Sequence, residues 1–245
     1  MTNEILKYRE RIYRKYSTNV QRISAVPGDS EIDRWGLPYD SYFRGWLPED
    51  KKAPIADIGC GFGRLLRFFT KRGYVNVRGV DISPEQVELA RRIISSVELG
   101  DVIEFLRNHE NEFALITALD IVEHFTKAEV LTFLDACRAA LRPGGALILQ
   151  TPNADSPWSF AIRYGDFTHE ICYGPQVLRT LVEIGGFGHF EAREEGPVPH
   201  GFVSLVRAAL WRFLRAGVMF RNMVETGSAG SGIYTRVFIA RCLRI

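Results

Sequence analysis

The chain has little of what would mark a secreted, zinc-clustered, membrane-spanning or polyanion-binding protein. Its four cysteines, Cys60, Cys137, Cys172 and Cys242, lie far apart with neither paired zinc spacing nor a disulfide framework, which suits a reducing cytoplasm. No charge-free apolar run reaches the ~18 residues that a bilayer-crossing helix needs. The opening MTNEILKYRERIYRKY carries charges where a secretory signal would be apolar. Thirty-one basic residues against 29 acidic ones leave a net charge of +2, too small to prompt a nucleic-acid surface. Repeats and low-complexity blocks are missing too. What is present is 46% hydrophobic residues in a chain of 245, ample for a large core. The expectation is a soluble cytoplasmic protein.

Residues 53–152 alternate short apolar runs with longer helical patterns, as parallel α/β sheets do. Pro54–Ile58 reads as a buried strand that stops at Gly59, and Arg64–Lys71 as the helix after it. Further strands are expected at Val77–Val80, Val97–Leu99, Phe113–Leu119 and Ala146–Gln150. Ser83-Pro84-Glu85 starts a helix, since serine can cap and proline suits the first turn, and that helix runs to about Ile94. Val102–Asn108 looks like a helical turn. Lys127–Leu141 is amphipathic and closes at Arg142-Pro143-Gly144-Gly145. Beyond it come a polar connector at 151–173, a helix near Pro175–Ile184, and strands around Phe187–Arg193 and Tyr234–Arg241 that can pair antiparallel.

The glycines at 59, 61 and 63 follow a strand directly, so the backbone there can approach a ligand closely. A dinucleotide fingerprint would need another glycine at 64, where this chain has Arg64. S-adenosylmethionine suits the pattern better, with the segment from Gly59 through Cys60 and Gly61 to Gly63 as its loop and Asp57 offsetting its ammonium. Asp81, 18 residues past Gly63, stands where a carboxylate can accept from both ribose hydroxyls. Gly100-Asp101 can meet the adenine amino group, with Ile82 and Val102 on either side of the ring.

These motifs resemble those of the class I S-adenosylmethionine-dependent methyltransferases. IADIGCGFG is similar to that family's first motif, VRGVDIS to its second, LGDV to its third, and LRPGGALIL to the stretch entering its fifth strand. The resemblance implies an α/β, Rossmann-like, doubly wound sheet of seven mostly parallel strands with an antiparallel last strand. It also implies S-adenosyl-L-methionine as cofactor and S-adenosyl-L-homocysteine as product. Leu119 and Asp120 would then flank the methionine portion. The segment Ala118–His124 resembles quinone-biosynthesis and small-molecule O-methyltransferases, whereas QTPNADSPWSFAIRYGDFTHEICYGPQVLRTLVEIGGF looks closer to methyltransferases of bacterial surface polysaccharide and lipopolysaccharide sugars. The whole chain, 1–245, reads as one methyltransferase domain: 1–50 a helical lid, 51–152 the cofactor-binding core, and 153–245 the acceptor side with a helical insertion at 197–224.

Methyl transfer to a hydroxyl profits from a base. His169 in the connector is the first candidate, as base or as acceptor-hydroxyl ligand, with Glu170 or Asp166 to orient it; a loop histidine that merely folds the connector is the plain alternative. His124 is the second candidate, although its segment also begins a helix. Asn153, Tyr164, Asp166 and His169 are the expected acceptor contacts. No spacing marks a dedicated metal site, so no metal is expected, although Glu123, His124, Asp166 and His169 have ligand chemistry. Tyr13, Tyr16, Arg11 and Arg14 can close over the methionine carboxylate or pack as an amphipathic helix. Phe202–Phe220, apolar apart from Ser204, Arg207, Arg212 and Arg215, suits internal packing, a homodimer face, or peripheral membrane contact through 202–220.

The leading expectation is an O-methyltransferase of a sugar hydroxyl in a surface glycan or its precursor. A quinone, polyketide or other small-molecule hydroxyl is the alternative acceptor. A nicotinamide-dependent oxidoreductase and a non-catalytic adenosine-binding module are the readings from other classes.

Overall fold

The computed structural model describes residues 8–9, 11–19 and 27–245. Seven strands, β1 (Ile55–Ile58), β2 (Val77–Asp81), β3 (Val97–Leu99), β4 (Phe113–Leu119), β5 (Leu141–Pro152), β6 (Phe187–Glu194) and β7 (Val237–Arg244), form one sheet in the order β3-β2-β1-β4-β5-β7-β6. The pairs among β1 to β5 are parallel, and β7 runs antiparallel to both β5 and β6. This is the Rossmann-like sheet with an antiparallel last strand that the motifs imply.

Strand side chains alternate between two cores because successive Cβ atoms point to opposite faces. Ile148 and Ile239 join one face with Leu66, Phe69 and Val87. Leu147, Leu149, Phe238 and Ala240 join the other with Phe105, Phe133 and Leu178. Helices Arg64–Lys71 and Pro84–Ala90 therefore cover the first face, and Val102–Arg107, Lys127–Ala140 and Pro175–Ile184 the second.

Several expected bounds move. The helix from Pro84 ends at Ala90, short of Ile94, where the Arg91 side chain turns to donate to the Val97 carbonyl. Ser83 precedes that helix without a side-chain cap bond. The strand β5 begins at Leu141, whose pairing with Phe113 carries the ladder across the Pro143–Gly145 irregularity. The last strand starts at Val237 instead of Tyr234, because Tyr234 and Thr235 hydrogen-bond to Glu194 and Asn153 outside the ladder.

Of the expected lid over 1–50, residues 1–7, 10 and 20–26 lie outside the described residues, and 29–47 pack as core. Ile32, Tyr39, Phe43 and Trp46 are buried, and Tyr39, Phe43, Phe68 and Phe69 pack ring against ring, which makes residues 29–47 part of the core. The residues that do cover a cavity are Arg9, Tyr13 and Tyr16.

The insertion is a 25-residue helix, Phe202–Thr226, with Ser204 its one buried residue. Arg215 turns inward to Glu194 and the Gly232 carbonyl, whereas Arg207, Arg212 and Arg221 stay exposed. Phe202, Val206, Phe213, Phe220 and Val224 are exposed along its outer side. Among the described residues, no helix is long and apolar enough to cross a membrane.

Helix Lys127–Ala140 begins with a capping box, Thr126 accepting from the Glu129 N–H while Glu129 accepts from Thr126. Thr126→Ala is expected to lower unfolding free energy by about 1 kcal/mol in a denaturant titration.

Candidate active site

The site lies where the parallel strands end. A cavity of about 1070 Å³ opens over β1, β2 and β4, lined at one end by Gly59, Gly61, Asp81, Ile82, Ser83, Asp101 and Val102. Glu123, His124, Asp166 and His169 line it at the other. Gly59 and Gly61 hold φ of +68° and +54°, a region that favours glycine, and a Cβ at Gly59 would stand 2.7 Å from Ile121 Cδ1.

Asp81 holds this loop. Its Oδ2 accepts from the Gly61 N–H and its Oδ1 from the Ser83 N–H, each at 2.8 Å, so one carboxylate ties the loop after β1 to the end of β2. Beside it the Ser83 hydroxyl is buried with no partner among the described residues. Asp101 caps helix Val102–Arg107 through Oδ1 alone, accepting from Ile103 and Glu104 N–H, so the cap role and a ligand role through Oδ2 are compatible.

Four expected cofactor contacts are placed differently. Cys60 is 6% exposed and turns into the core, where it fills the space that a side chain at Gly79 would need. Gly63 lies off the cavity; at φ +89° it opens helix Arg64–Lys71 and lets Ala90 approach. Gly100 is off the cavity too and donates its N–H to the Asp81 carbonyl. Asp57 lies beneath the site, accepting from Thr117 Oγ1 at 2.8 Å, and burial with nearby Asp81 pushes its carboxyl up to about 7.

At the methionine end, Leu119 and Asp120 line the cavity. Asp120 adopts φ +52° and is pinned by Gln150, which donates to Asp120 Oδ2 at 2.9 Å and accepts from Tyr39. Arg9 reaches in where Arg11 and Arg14 were expected: its guanidinium pairs with Glu129 at 2.8 Å and donates to the His124 carbonyl, while Arg11 and Arg14 are exposed.

The acceptor end needs more correction. Asn153 is fully buried; its amide donates to the Ile233 and Thr235 carbonyls and accepts from the Asp155 N–H, so it braces two loops and contacts no acceptor. Tyr164 is 69% exposed, stacked near Phe160 and off the cavity. Glu170 faces Tyr8 and Arg9, not His169. Asp166 accepts from Tyr16 and Thr168, so it does not orient His169 directly.

The group facing His169 is Glu123, with Nε2 to Oε1 at 4.0 Å. The His124 ring lies 4.8 Å from the His169 ring, and burial together with His169 lowers His124 to about 4, keeping it neutral. Burial raises the Glu123 carboxyl well above the usual range. Sequence spacing gave Glu123 no site role beyond ligand chemistry, and only the connector's return from β5 brings His169 beside it.

Residues 55–145 match the family model described as Methyltransferase domain. Solved structures share the architecture: an S-adenosylmethionine-dependent methyltransferase from Archaeoglobus fulgidus at TM-score 0.65 and 18% identity, covering 94% of this chain and 98% of that one. The fold is that of the S-adenosylmethionine-dependent methyltransferases. A phosphoethanolamine N-methyltransferase from Haemonchus contortus, in complex with S-adenosyl-L-methionine, aligns at TM-score 0.61 and 15% identity over 95% of this chain and 60% of its own. Among curated relatives, ubiquinone biosynthesis O-methyltransferases from Xanthomonas campestris and Nitrobacter winogradskyi are 32% and 37% identical over 116 and 114 residues. Those alignments cover 45% and 44% of this chain and 47% and 41% of the relatives, so the chain spans about half the length of the curated relatives it matches.

The cavity fits S-adenosyl-L-methionine, the ligand of the Haemonchus contortus structure. Asp81 and the unpartnered Ser83 hydroxyl would hold the ribose diol, and Asp101, Ile82 and Val102 the adenine. The glycine turn and Asp120 would hold the methionine part. Arg64, which departs from the dinucleotide pattern, lies 4.5 Å over the Phe62 ring.

Two predictions follow from buried groups here. Asn153→Ala strands two carbonyls and an N–H and should lower stability by about 2–3 kcal/mol while leaving S-adenosylhomocysteine affinity in the remaining folded protein unchanged by calorimetry. Asp57 titrates near its ordinary 3.8 when unfolded and about 7 when folded. The folded state therefore binds more protons between those values, and stability falls as pH rises through that window. Denaturant titrations from pH 4 to 7 should show wild type losing stability relative to Asp57→Asn.

Proposed function

We propose that the chain is an S-adenosylmethionine-dependent O-methyltransferase acting on a ring hydroxyl of a quinone-type aromatic small molecule. The observation that carries the O-methyl reading is the meeting of Glu123, His124 and His169 at the end of the cavity away from Asp81 and Asp101. A hydroxyl must shed a proton as it is methylated, and lone pairs at this end can receive it.

When bound, S-adenosylmethionine supplies an electrophilic methyl group on a sulfonium. The chain's own residues hold and align the acceptor. Tyr13 and Tyr16 lie over the opening, their rings 5.5 Å apart, and Ile121, Phe125 and Ile162 give the wall an apolar surface suited to a flat ring. Glu123 and His169 draw the hydroxyl to the far end. The names of the curated relatives support the quinone-type acceptor over the sugar hydroxyl expected from the connector's resemblance.

The outer side of helix Phe202–Thr226 supports a place of encounter with an apolar acceptor. Its exposed apolar residues, flanked by Arg207, Arg212 and Arg221, suit the surface of an anionic membrane. Flotation with phosphatidylglycerol vesicles should carry the chain upward; protein left at the bottom would discard this contact.

S-adenosylhomocysteine should bind in calorimetry and NAD should not; the reverse result would return the oxidoreductase reading. With labelled S-adenosylmethionine, catechol-type acceptors should be methylated and simple or nucleotide-linked sugars should not. Label appearing only on sugars would replace the proposed acceptor. His169→Ala should lower kcat by about 100-fold or more without changing S-adenosylhomocysteine affinity.

A further inference from the structure

We propose that Glu123, His124 and His169 form a site for a divalent transition-metal ion at the acceptor end of the cavity. One ligand atom from each comes within 4.8 Å of the other two. The hydrogen bonds around them settle which atoms are free. His169 Nδ1 lies 3.1 Å from the Ile162 carbonyl, which can only accept, so Nδ1 carries the proton and Nε2 the lone pair. Thr168 gives its one hydroxyl proton to Asp166 Oδ1 at 2.6 Å, so the contact of 2.8 Å to His124 Nδ1 is donated by the ring. His124 Nε2 therefore bears a lone pair as well.

The third group is Glu123, whose side chain is 1% exposed. Its Oε2 accepts from Thr151, but its Oε1 is buried with no hydrogen-bond partner among the described residues and faces His169 Nε2 at 4.0 Å. One ligand atom of each residue thus lies in one small volume, where Glu123 Oε1 is left without a hydrogen-bond partner among the described residues and a bound cation would satisfy it. Both imidazoles are held through Nδ1 to a carbonyl or hydroxyl oxygen, as ligating histidines usually are.

Two imidazoles and one carboxylate suit zinc, manganese, iron or cobalt better than magnesium or calcium, which prefer oxygen sets. Ligand atoms around such an ion stand roughly 3 Å apart, given bond lengths near 2.1 Å, so these side chains must draw inward by about an ångström. The open coordination positions would face the cavity. A hydroxyl that reaches the ion breaks its O–H bond more easily, the proton leaving to solvent while the ion holds the charge on oxygen. This catalytic meaning rests on the O-methyltransferase reading; the binding of the ion does not.

The test uses the full chain, stripped with chelator and titrated with Co2+ under anaerobic conditions. One equivalent should bind, with visible d–d absorption that Zn2+ abolishes, and Glu123→Gln and His169→Ala should each weaken Co2+ binding about tenfold or more. S-adenosylhomocysteine calorimetry on the same samples reports whether the cavity is intact and tests the methyltransferase reading separately. Wild-type protein that binds S-adenosylhomocysteine but shows no saturable Co2+ or Zn2+ binding would overturn the proposal. So would variants that retain full metal affinity. Metal binding without S-adenosylhomocysteine binding would leave the site standing and remove the methyltransferase reading.

Discussion

The carboxylate of Asp81 joins the two strand ends on which the cavity rests. By accepting from Gly61 on one side and Ser83 on the other, it holds the glycine turn open and sets the start of helix Pro84–Ala90. Both carboxylate oxygens retain further lone pairs for a ligand diol. Loss of this clasp would leave the turn after β1 to backbone bonds such as those from the Gly59 and Cys60 N–H groups to the Val80 carbonyl. The adenosine end of the site is therefore built from backbone geometry, with one side chain as its tie.

The acceptor end is built in the opposite way. It depends on side chains from distant segments, and burial presses protons onto its acids: Asp120 and Glu123 are both raised, and His124 is kept neutral. Arg9 brings a cation close, yet Glu129 already balances it. A positive charge from a ligand or an ion would favour the ionised form of these acids and so offset the effect of their burial.

Much of the fold was legible because it is periodic. Buried β1 and β4 read as continuous apolar runs, the glycine turn follows β1 directly, and the acids at 81 and 101 sit at strand ends. Side-chain direction was not legible. Cys60 lies inside the glycine motif yet turns to the core, and Asn153 has the chemistry of an acceptor contact while bracing buried loops. Glu123 and His169 are separated by 45 residues of chain that no local pattern folds back. Arg9 was passed over for Arg11 and Arg14 because charge alone does not tell which side of a helix faces inward. The segment 29–47 reads as helices able to fold over a site, but the rings of Tyr39, Phe43 and Trp46, spaced along it, are buried in the core.

Three side chains of the amino-terminal segment fasten it to the rim: Tyr8 to Glu170, Tyr16 to Asp166, and Thr18 to Glu85. Glu170 and Asp166 belong to the connector, whereas Glu85 belongs to the helix beyond the adenosine end, so one short stretch of chain latches both halves of the opening. A ligand that enters or leaves on this side must pass a stretch of chain bonded to both of them.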